Sequence, residues 1–150
     1  GDIDMAIVTR ESDISGGYQL RRESLVWVTA PGSGAHLRRP LPMAMWPDGI
    51  CAFRTAATDA LEAAGQPWRS AFESQAFGAL RATVLAGLAV TVAIPSMVDD
   101  DLQILDPDTA GLPRLPAIDI RLYRGRGRAT QAAASLADLI IERVGRVVMR

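Results

Sequence analysis

Residues 53–94, FRTAATDALEAAGQPWRSAFESQAFGALRATVLAGLAVTVAI, contain the pattern that decides the fold. Apolar residues recur from Phe53 to Ala64 with helical spacing, and polar residues occupy the opposite face. Gly65 stands where a left-handed C-terminal cap is expected, and Pro67 cannot continue a helix. This part of the stretch therefore predicts an amphipathic helix that ends at Gly65.

The remainder of the stretch predicts a strand, a second helix and a second strand. Trp68–Glu73 has strand length, Ser74 and Gln75 open the next helix, and Gly87 ends it. Leu88–Ile94 shows no alternation of apolar and polar residues, as expected of a strand buried on both faces in a parallel sheet. The order helix, strand, helix, strand predicts an α/β fold.

The segments on either side supply further elements of the same fold. Three short apolar runs predict strands, with an exposed crossing at Thr9–Glu23 between the first two: Ile3–Val8, Leu25–Thr29 and Leu41–Trp46. Towards the C-terminus we expect a short strand at Leu102–Leu105 and a surface loop at Asp106–Pro116. Alternation at residues 118–123 predicts a strand exposed on one side, with Asp119, Arg121 and Tyr123 facing water. A final helix is expected to bury Ala133, Leu136, Ala137, Ile140, Ile141, Val144, Val147 and Val148.

Composition excludes several classes of protein. The 150 residues allow one compact domain, and 16 basic against 17 acidic residues give a net charge of −1, which is not typical of a nucleic-acid-binding surface. A single cysteine, Cys51, excludes an internal disulfide, and the first residues lack the pattern of a secretory signal. The longest uncharged run, Ala82–Val98, is interrupted by Gly87 and Pro95 and is too short to span a membrane. We therefore expect a cytoplasmic protein with no membrane partner.

The order and spacing of six short segments resemble the effector-binding domain of LysR-type transcriptional regulators. The segments are GDIDMAIV (1–8), ESLVWV (23–28), PLPMAMWP (40–47), CAFR (51–54), AAGQPW (63–68) and AGLAVTV (86–92). The resemblance covers essentially the whole chain. It implies a two-lobed α/β fold of the periplasmic-binding-protein-like type II class.

The resemblance also implies an N-terminally truncated domain without its winged helix-turn-helix. We expect residues 13–117 to form a complete second lobe, and residues 1–12 with 118–150 to form a partial first lobe. A partial lobe leaves apolar surface and a sheet edge uncovered, which favours a homodimer or a higher homo-oligomer. Promoter DNA is expected to bind through the absent N-terminal domain.

Ligands of open α/β sheets bind beyond the carboxyl ends of the strands, where helix N-termini present free N–H groups. Three such ends follow the predicted strands, and the resemblance places ligand-binding positions at Thr9, Phe53 and the Ser74–Phe77 turn. Hydrogen bonding is assigned to Thr9, Ser74 and Gln75, an apolar wall to Phe53 and Phe77, and an anionic group of the ligand to Arg10 or Arg54. Cys51, at the start of the first helix, completes the candidate set.

Each of these residues has a simpler structural interpretation. Ser74 is the kind of residue that caps a helix, and Phe53 opens an apolar stripe and is therefore a core candidate. Arg54 lies on the polar helix face, where arginine is usually solvated. Cys51 is either a small buried residue or a reactive thiol at a helix N-terminus.

No cofactor and no metal are predicted. His36 and Cys51 are too few for a structural zinc site. Asp99–Asp101 fits a solvated turn better than a cation site, because the spaced ligands of a calcium loop are missing. Arg124–Arg128 is either an exposed loop or a phosphate contact.

The function expected from the resemblance is non-enzymatic sensing of a small metabolite, the effector. A ligand that contacts both lobes would favour one lobe arrangement and so alter the DNA contacts of the missing domain. Two alternatives remain: a solute-binding receptor of similar fold, which a signal sequence would favour, and a small α/β enzyme, which a catalytic constellation would favour.

Overall fold

The computed structural model describes residues 3–11, 16–125, 127 and 130–144. It confirms the α/β class. The elements in chain order are β1 (Met5–Glu11), β2 (Tyr18–Ser24), β3 (Val26–Thr29), β4 (Leu41–Met45), α1 (Ala52–Ala63), β5 (Trp68–Glu73), α2 (Phe77–Leu85), β6 (Thr91–Ala93), β7 (Gln103–Leu105), α3 (Pro107–Ala110), β8 (Ala117–Arg124) and α4 (Gln131–Val144). They form two compact units: the first is Gly1–Glu23 with Ala117–Arg150, and the second is Ser24–Pro116.

The second unit contains a three-stranded antiparallel sheet and a two-stranded parallel sheet, which one bridge joins. Strand β3 lies between β6 and β7 and is antiparallel to both, whereas β4 and β5 are parallel. A parallel bridge between Met43 and Val90 links β4 to the start of the β6 segment. The predicted strand Leu88–Ile94 is shorter in the structure, and Leu88 is 57% exposed because it lies in the turn after α2.

Two helices, α1 and α2, pack on these sheets; the C-terminus of α1 is as expected, and the N-terminus of α2 is not. Gly65, at φ +60°, ends α1, and its N–H donates to the Glu62 carbonyl at 3.0 Å, as the sequence predicts. The second helix begins at Phe77 rather than at Ser74, because Ala76 occupies the N-cap position. Buried side chains from α2 and the strands form one core cluster: Val28, Ala44, Leu80, Val84, Ala89, Ala93 and Leu102.

The first unit contains a three-stranded sheet in the order β1-β8-β2. Strand β2 occupies part of the segment Thr9–Glu23 that was expected to be an exposed crossing; residues 12–15 lie outside the described part. Because β2 pairs with β8, the boundary of the second unit lies at residue 24 and not at residue 13.

Strand β8 buries the predicted residues Ile118, Ile120 and Leu122. The expectation that its other side faces water is wrong for Asp119, which is 1% exposed. The Arg121 guanidinium, 3.1 Å away, compensates the buried carboxylate.

The apolar stripe predicted for the last helix is buried only at Ala137 among the described residues of α4, while Leu136 is exposed. Beside it lies an open hollow of about 350 Å³ between Asp4, Met5 and the first turns of α4. Ala133, Ile140, Ile141 and Val144 are half-buried, so the stripe is only partly covered within the described part of the chain. Val147 and Val148 lie outside the described residues.

The predicted loop Asp106–Pro116 contains the short helix α3, whose N-terminus is capped by the Asp106 carboxylate, which accepts from the Asp108 N–H at 2.9 Å. The helices in the described part of the chain are all too short or too polar to span a bilayer.

Candidate functional site

Three aromatic rings meet at the carboxyl end of β4. Trp46 directly follows this strand, Phe53 lies in the first turn of α1, and Phe77 opens α2. The Trp46 ring meets Phe53 edge to face at 5.3 Å between centroids, and it stacks on Phe77 at 6.1 Å with 7° between the planes. Trp46 was not among the predicted site residues, although its position at the end of the predicted strand Leu41–Trp46 was a usable signal.

Beneath this aromatic cluster of Trp46, Phe53 and Phe77 lies a cavity of about 10 Å³, bounded by β4, α1 and β6. A space of this size holds one water molecule and excludes a metabolite. A metabolite bound at the aromatic cluster would therefore contact its outer side. Phe77 is half-buried. Phe53 is buried and therefore also belongs to the core, which agrees with its interpretation as the first residue of an apolar stripe.

Arg54 joins the ends of two strands. Its Nη1 donates to the Trp46 carbonyl oxygen at 2.7 Å and to Glu73 Oε1 at 2.8 Å. Its Nε lies 3.6 Å from the Asp48 carboxylate. The side chain is only 13% exposed, so the interpretation as a solvated charge is wrong. With two carboxylates beside it, the guanidinium is already compensated.

The ion pair with Arg54 lowers the pKa of Glu73. Hydrogen bonds from Arg54 and from the Ser70 hydroxyl hold the pKa of the Glu73 carboxyl below its ordinary value of 4.5. Glu73 is therefore a carboxylate at neutral pH and keeps Arg54 at the end of β5.

Ser74 and Gln75 lie in the turn between β5 and α2. The Ser74 Oγ accepts from the Ala76 N–H at 3.1 Å, which is a local turn contact. Ser74 is therefore not the N-cap, a position that Ala76 holds without a side-chain hydrogen bond. Gln75 is exposed and Ser74 is half-buried.

Cys51 is the N-cap residue of α1 and makes no side-chain capping bond. Burial raises the pKa of its thiol above the ordinary value, although the Phe53 and Arg54 N–H groups oppose the shift. A raised pKa leaves little thiolate at neutral pH, which argues against the reactive-thiol interpretation.

Thr9 and Arg10 lie in β1, in the first unit. Thr9 pairs with Ile120 and Arg10 with Asp119 across the β1–β8 ladder, so the two side chains point to opposite faces of the sheet. Arg10 Nη1 donates to the Tyr123 hydroxyl at 3.2 Å, and its guanidinium lies 6.0 Å from the centre of that ring. Among the described residues, no carboxylate lies within 4.0 Å of Arg10.

Two polar motifs remain, the acidic turn Asp99–Asp101 and the segment Arg124–Arg128. Arg81 makes ion pairs with Asp99, at 3.4 Å, and with Asp101. Within the described ranges, no group of three His, Cys, Asp or Glu residues is arranged to hold a metal ion. Arg126 and Arg128 lie outside those ranges.

The comparison with protein families matches residues 1–145 to the family described as LysR substrate binding domain. Two curated relatives are similar over most of this chain. The HTH-type transcriptional regulator DgdR of Burkholderia cepacia is 36% identical over 139 residues, which are 92% of this chain and 46% of DgdR. PecT of Dickeya dadantii, also an HTH-type transcriptional regulator, is 32% identical over 123 residues, 82% of this chain and 38% of PecT. The chain thus spans less than half the length of either relative.

Solved structures show the same fold. The regulatory domain of Synechocystis CcmR, solved in complex with 2-PG, aligns with a TM-score of 0.70 at 14% identity and covers 97% of this chain and 76% of that one. The bromide-bound regulatory domain of HypT from Salmonella typhimurium gives a TM-score of 0.73 at 17% identity, over 96% and 73% of the two chains.

Proposed function

This chain belongs to the LysR substrate-binding domain family, and from that membership we propose that it senses a small-molecule effector for a transcription regulator. The family match over residues 1–145 carries this proposal, and the named relatives are regulators rather than enzymes. Effector binding shifts the population of regulator conformations and thereby the contacts that a separate DNA-binding domain makes with the promoter. A cytoplasmic location and assembly into a homodimer or higher oligomer belong to the same proposal.

The ligand-binding residues are proposed for each unit by itself. In the first unit, Thr9 of β1 donates or accepts a hydrogen bond. In the second unit, Ser74 and Gln75 do so beside an apolar wall formed by Phe53, Phe77 and Trp46. Cys51 is a half-buried neighbour of this wall. The apolar wall suits a ring or a short chain in the ligand.

The geometry distinguishes the two arginines that were candidates for binding an anionic group. Arg54 is compensated by Glu73 and Asp48, whereas Arg10 donates to the Tyr123 hydroxyl and has no carboxylate within 4.0 Å in the part of the chain that the structure describes. An uncompensated guanidinium keeps its full attraction for a carboxylate. We therefore assign the anionic group of the effector to Arg10, and the positioning of Trp46 and Glu73 to Arg54.

The test uses the intact regulator that contains this chain. A panel of aromatic and aliphatic carboxylates, each paired with its methyl ester, is screened by thermal shift and by promoter response. We expect carboxylates, and not esters, to stabilise the protein. Arg10→Gln should abolish this effect, while Arg54→Gln should lower the melting temperature of the free protein and keep the ligand-induced increment.

Variants in the remaining positions separate binding from folding. Thr9→Val and Phe53→Ala should weaken the effector response; loss of one hydrogen bond at Thr9 corresponds to about 1–3 kcal/mol. If Ser74→Ala lowers stability and leaves the response unchanged, Ser74 only shapes the turn. A normal response in Arg10→Gln, Thr9→Val and Phe53→Ala together would contradict the site.

A further inference from the structure

The arginines of the second unit fall into two groups. The sequence contains sixteen arginines and no lysine, and six of the arginines lie in this unit. Arg54, Arg81 and Arg114 each form an ion pair with at least one carboxylate. The other three have no carboxylate within 4.0 Å among the described residues, and all are exposed: Arg38, Arg39 and Arg69.

These three arginines lie at one end of the sheet, which we call the arginine edge. Arg38 and Arg39 lie just before β4, separated from it by Pro40, and Arg69 is the second residue of β5, where it pairs with Pro42 of β4. The arginine edge therefore lies at the amino ends of the two parallel strands. Trp46 and Glu73 lie at the opposite, carboxyl ends, so an occupant of the arginine edge would not compete with a ligand at the aromatic cluster.

Neutral acceptors hold two of these side chains. Arg39 Nη1 donates to the carbonyl oxygens of His36 at 2.9 Å and of Arg38 at 2.8 Å. Arg38 Nη1 lies 3.5 Å from the Leu88 carbonyl oxygen. These contacts limit the freedom of the side chains without neutralising their charge, and a positioned guanidinium loses less entropy when a carboxylate binds.

Two exposed leucines border the arginine edge. Leu37, in the turn before Arg38, is 69% exposed, and Leu88 is more than half exposed next to the Arg38 guanidinium. Phosphates of a nucleic acid would satisfy the arginines and leave these leucines in water. A protein segment with carboxylates and an apolar side chain would satisfy both.

We propose that the arginine edge, with Leu37 and Leu88, docks an acidic protein segment that carries at least one large apolar side chain. The carboxylates pair with Arg38, Arg39 and Arg69, and the apolar side chain packs on the two leucines. This surface is independent of the effector site.

The probes are a labelled peptide of glutamates interspersed with leucines, an all-glutamate peptide of equal length, and a labelled DNA duplex. Fluorescence anisotropy with the whole chain should show tightest binding of the glutamate–leucine peptide. Arg39→Glu should weaken that binding by about tenfold or more, because attraction becomes repulsion at the contact. The control is Arg114→Glu, which makes the same charge change elsewhere on this unit. It should change the affinity for the glutamate–leucine peptide less than about twofold.

Leu37→Ser tests the apolar half of the surface. This substitution should weaken binding of the glutamate–leucine peptide and leave binding of the all-glutamate peptide unchanged. The melting temperature of the variant should match that of the unsubstituted chain. Three outcomes would each overturn the proposal: no saturable peptide binding, equal losses in Arg39→Glu and Arg114→Glu, or tighter binding of the DNA duplex than of either peptide.

Discussion

Arg54 Nη1 lies 2.8 Å from Glu73 Oε1, and the same nitrogen donates to the carbonyl oxygen of Trp46. One guanidinium thus ties the end of β5 to the residue that follows β4. The contact fixes the backbone that carries the Trp46 ring between Phe53 and Phe77.

Replacing Arg54 by alanine should lower the free energy of unfolding by about 1–3 kcal/mol, because a half-buried carbonyl loses its charged donor. Urea denaturation measures this change. Arg114→Ala removes an exposed arginine from the same unit and should cost less than about 0.5 kcal/mol. Equal effects of the two substitutions would show that Arg54 does not organise the strand ends.

The Arg54–Glu73 pair should also give the protein a specific dependence on acid. Because the pKa of Glu73 is lowered in the folded protein, its contribution to stability is present above pH 4.5 and is lost as the pH falls through the folded value. Glu73→Gln removes that titration. The difference in unfolding free energy between the two proteins should therefore shrink from pH 6 to pH 3; a constant difference would contradict the pairing.

Two glycines of one helical segment should respond to substitution in opposite directions. Gly87 has φ +69° in the turn after α2, so Gly87→Val should destabilise by about 1–3 kcal/mol through backbone strain. Gly87→Asn should cost less, because asparagine tolerates this conformation. Gly78 lies within α2 with open space around it, so Gly78→Ala should stabilise by about 0.5–1 kcal/mol. Thermal unfolding of the three variants checks the signs, and a neutral Gly87→Val would show that this turn needs no glycine.

Hydrogen exchange should divide the chain by unit. Residues 84–94 contribute to the buried core of the second unit, whereas Ile3, just before β1, and Ile7 and Val8 within β1 are exposed. We expect strong amide protection at residues 84–94 and weaker protection at residues 3–8 in a dilute, demonstrably monomeric sample. Equal protection of the two segments would count against this division.

Local patterns predicted the second unit well. The period of α1, the cap at Gly65 and the strand Trp68–Glu73 depend on neighbours in sequence, and all three are confirmed. The start of α2 was placed too early, because Ser74 resembles a cap residue while its hydroxyl bonds within a turn.

Features that depend on distant partners were not predictable. Asp119 was expected in water, because a charged residue in an alternating strand usually faces solvent. The sequence-distant feature at this position is the ladder to β1, and the neighbouring Arg121 compensates the buried carboxylate. Glu73 follows Arg54 by nineteen residues, so no local pattern joins them. The assignment of Thr9, Arg10, Phe53, Ser74, Gln75 and Phe77 to a ligand stays a prediction.

The alternation along β1 limits how this segment can evolve. Thr9 faces the side of Ile120 and Arg10 the side of Asp119, and the β1–β8 register fixes both. Loss or gain of one residue within the strand would move each following side chain to the opposite face of the sheet. Relatives that share this ladder should therefore differ here by replacement of residues, and their insertions and deletions should fall outside β1.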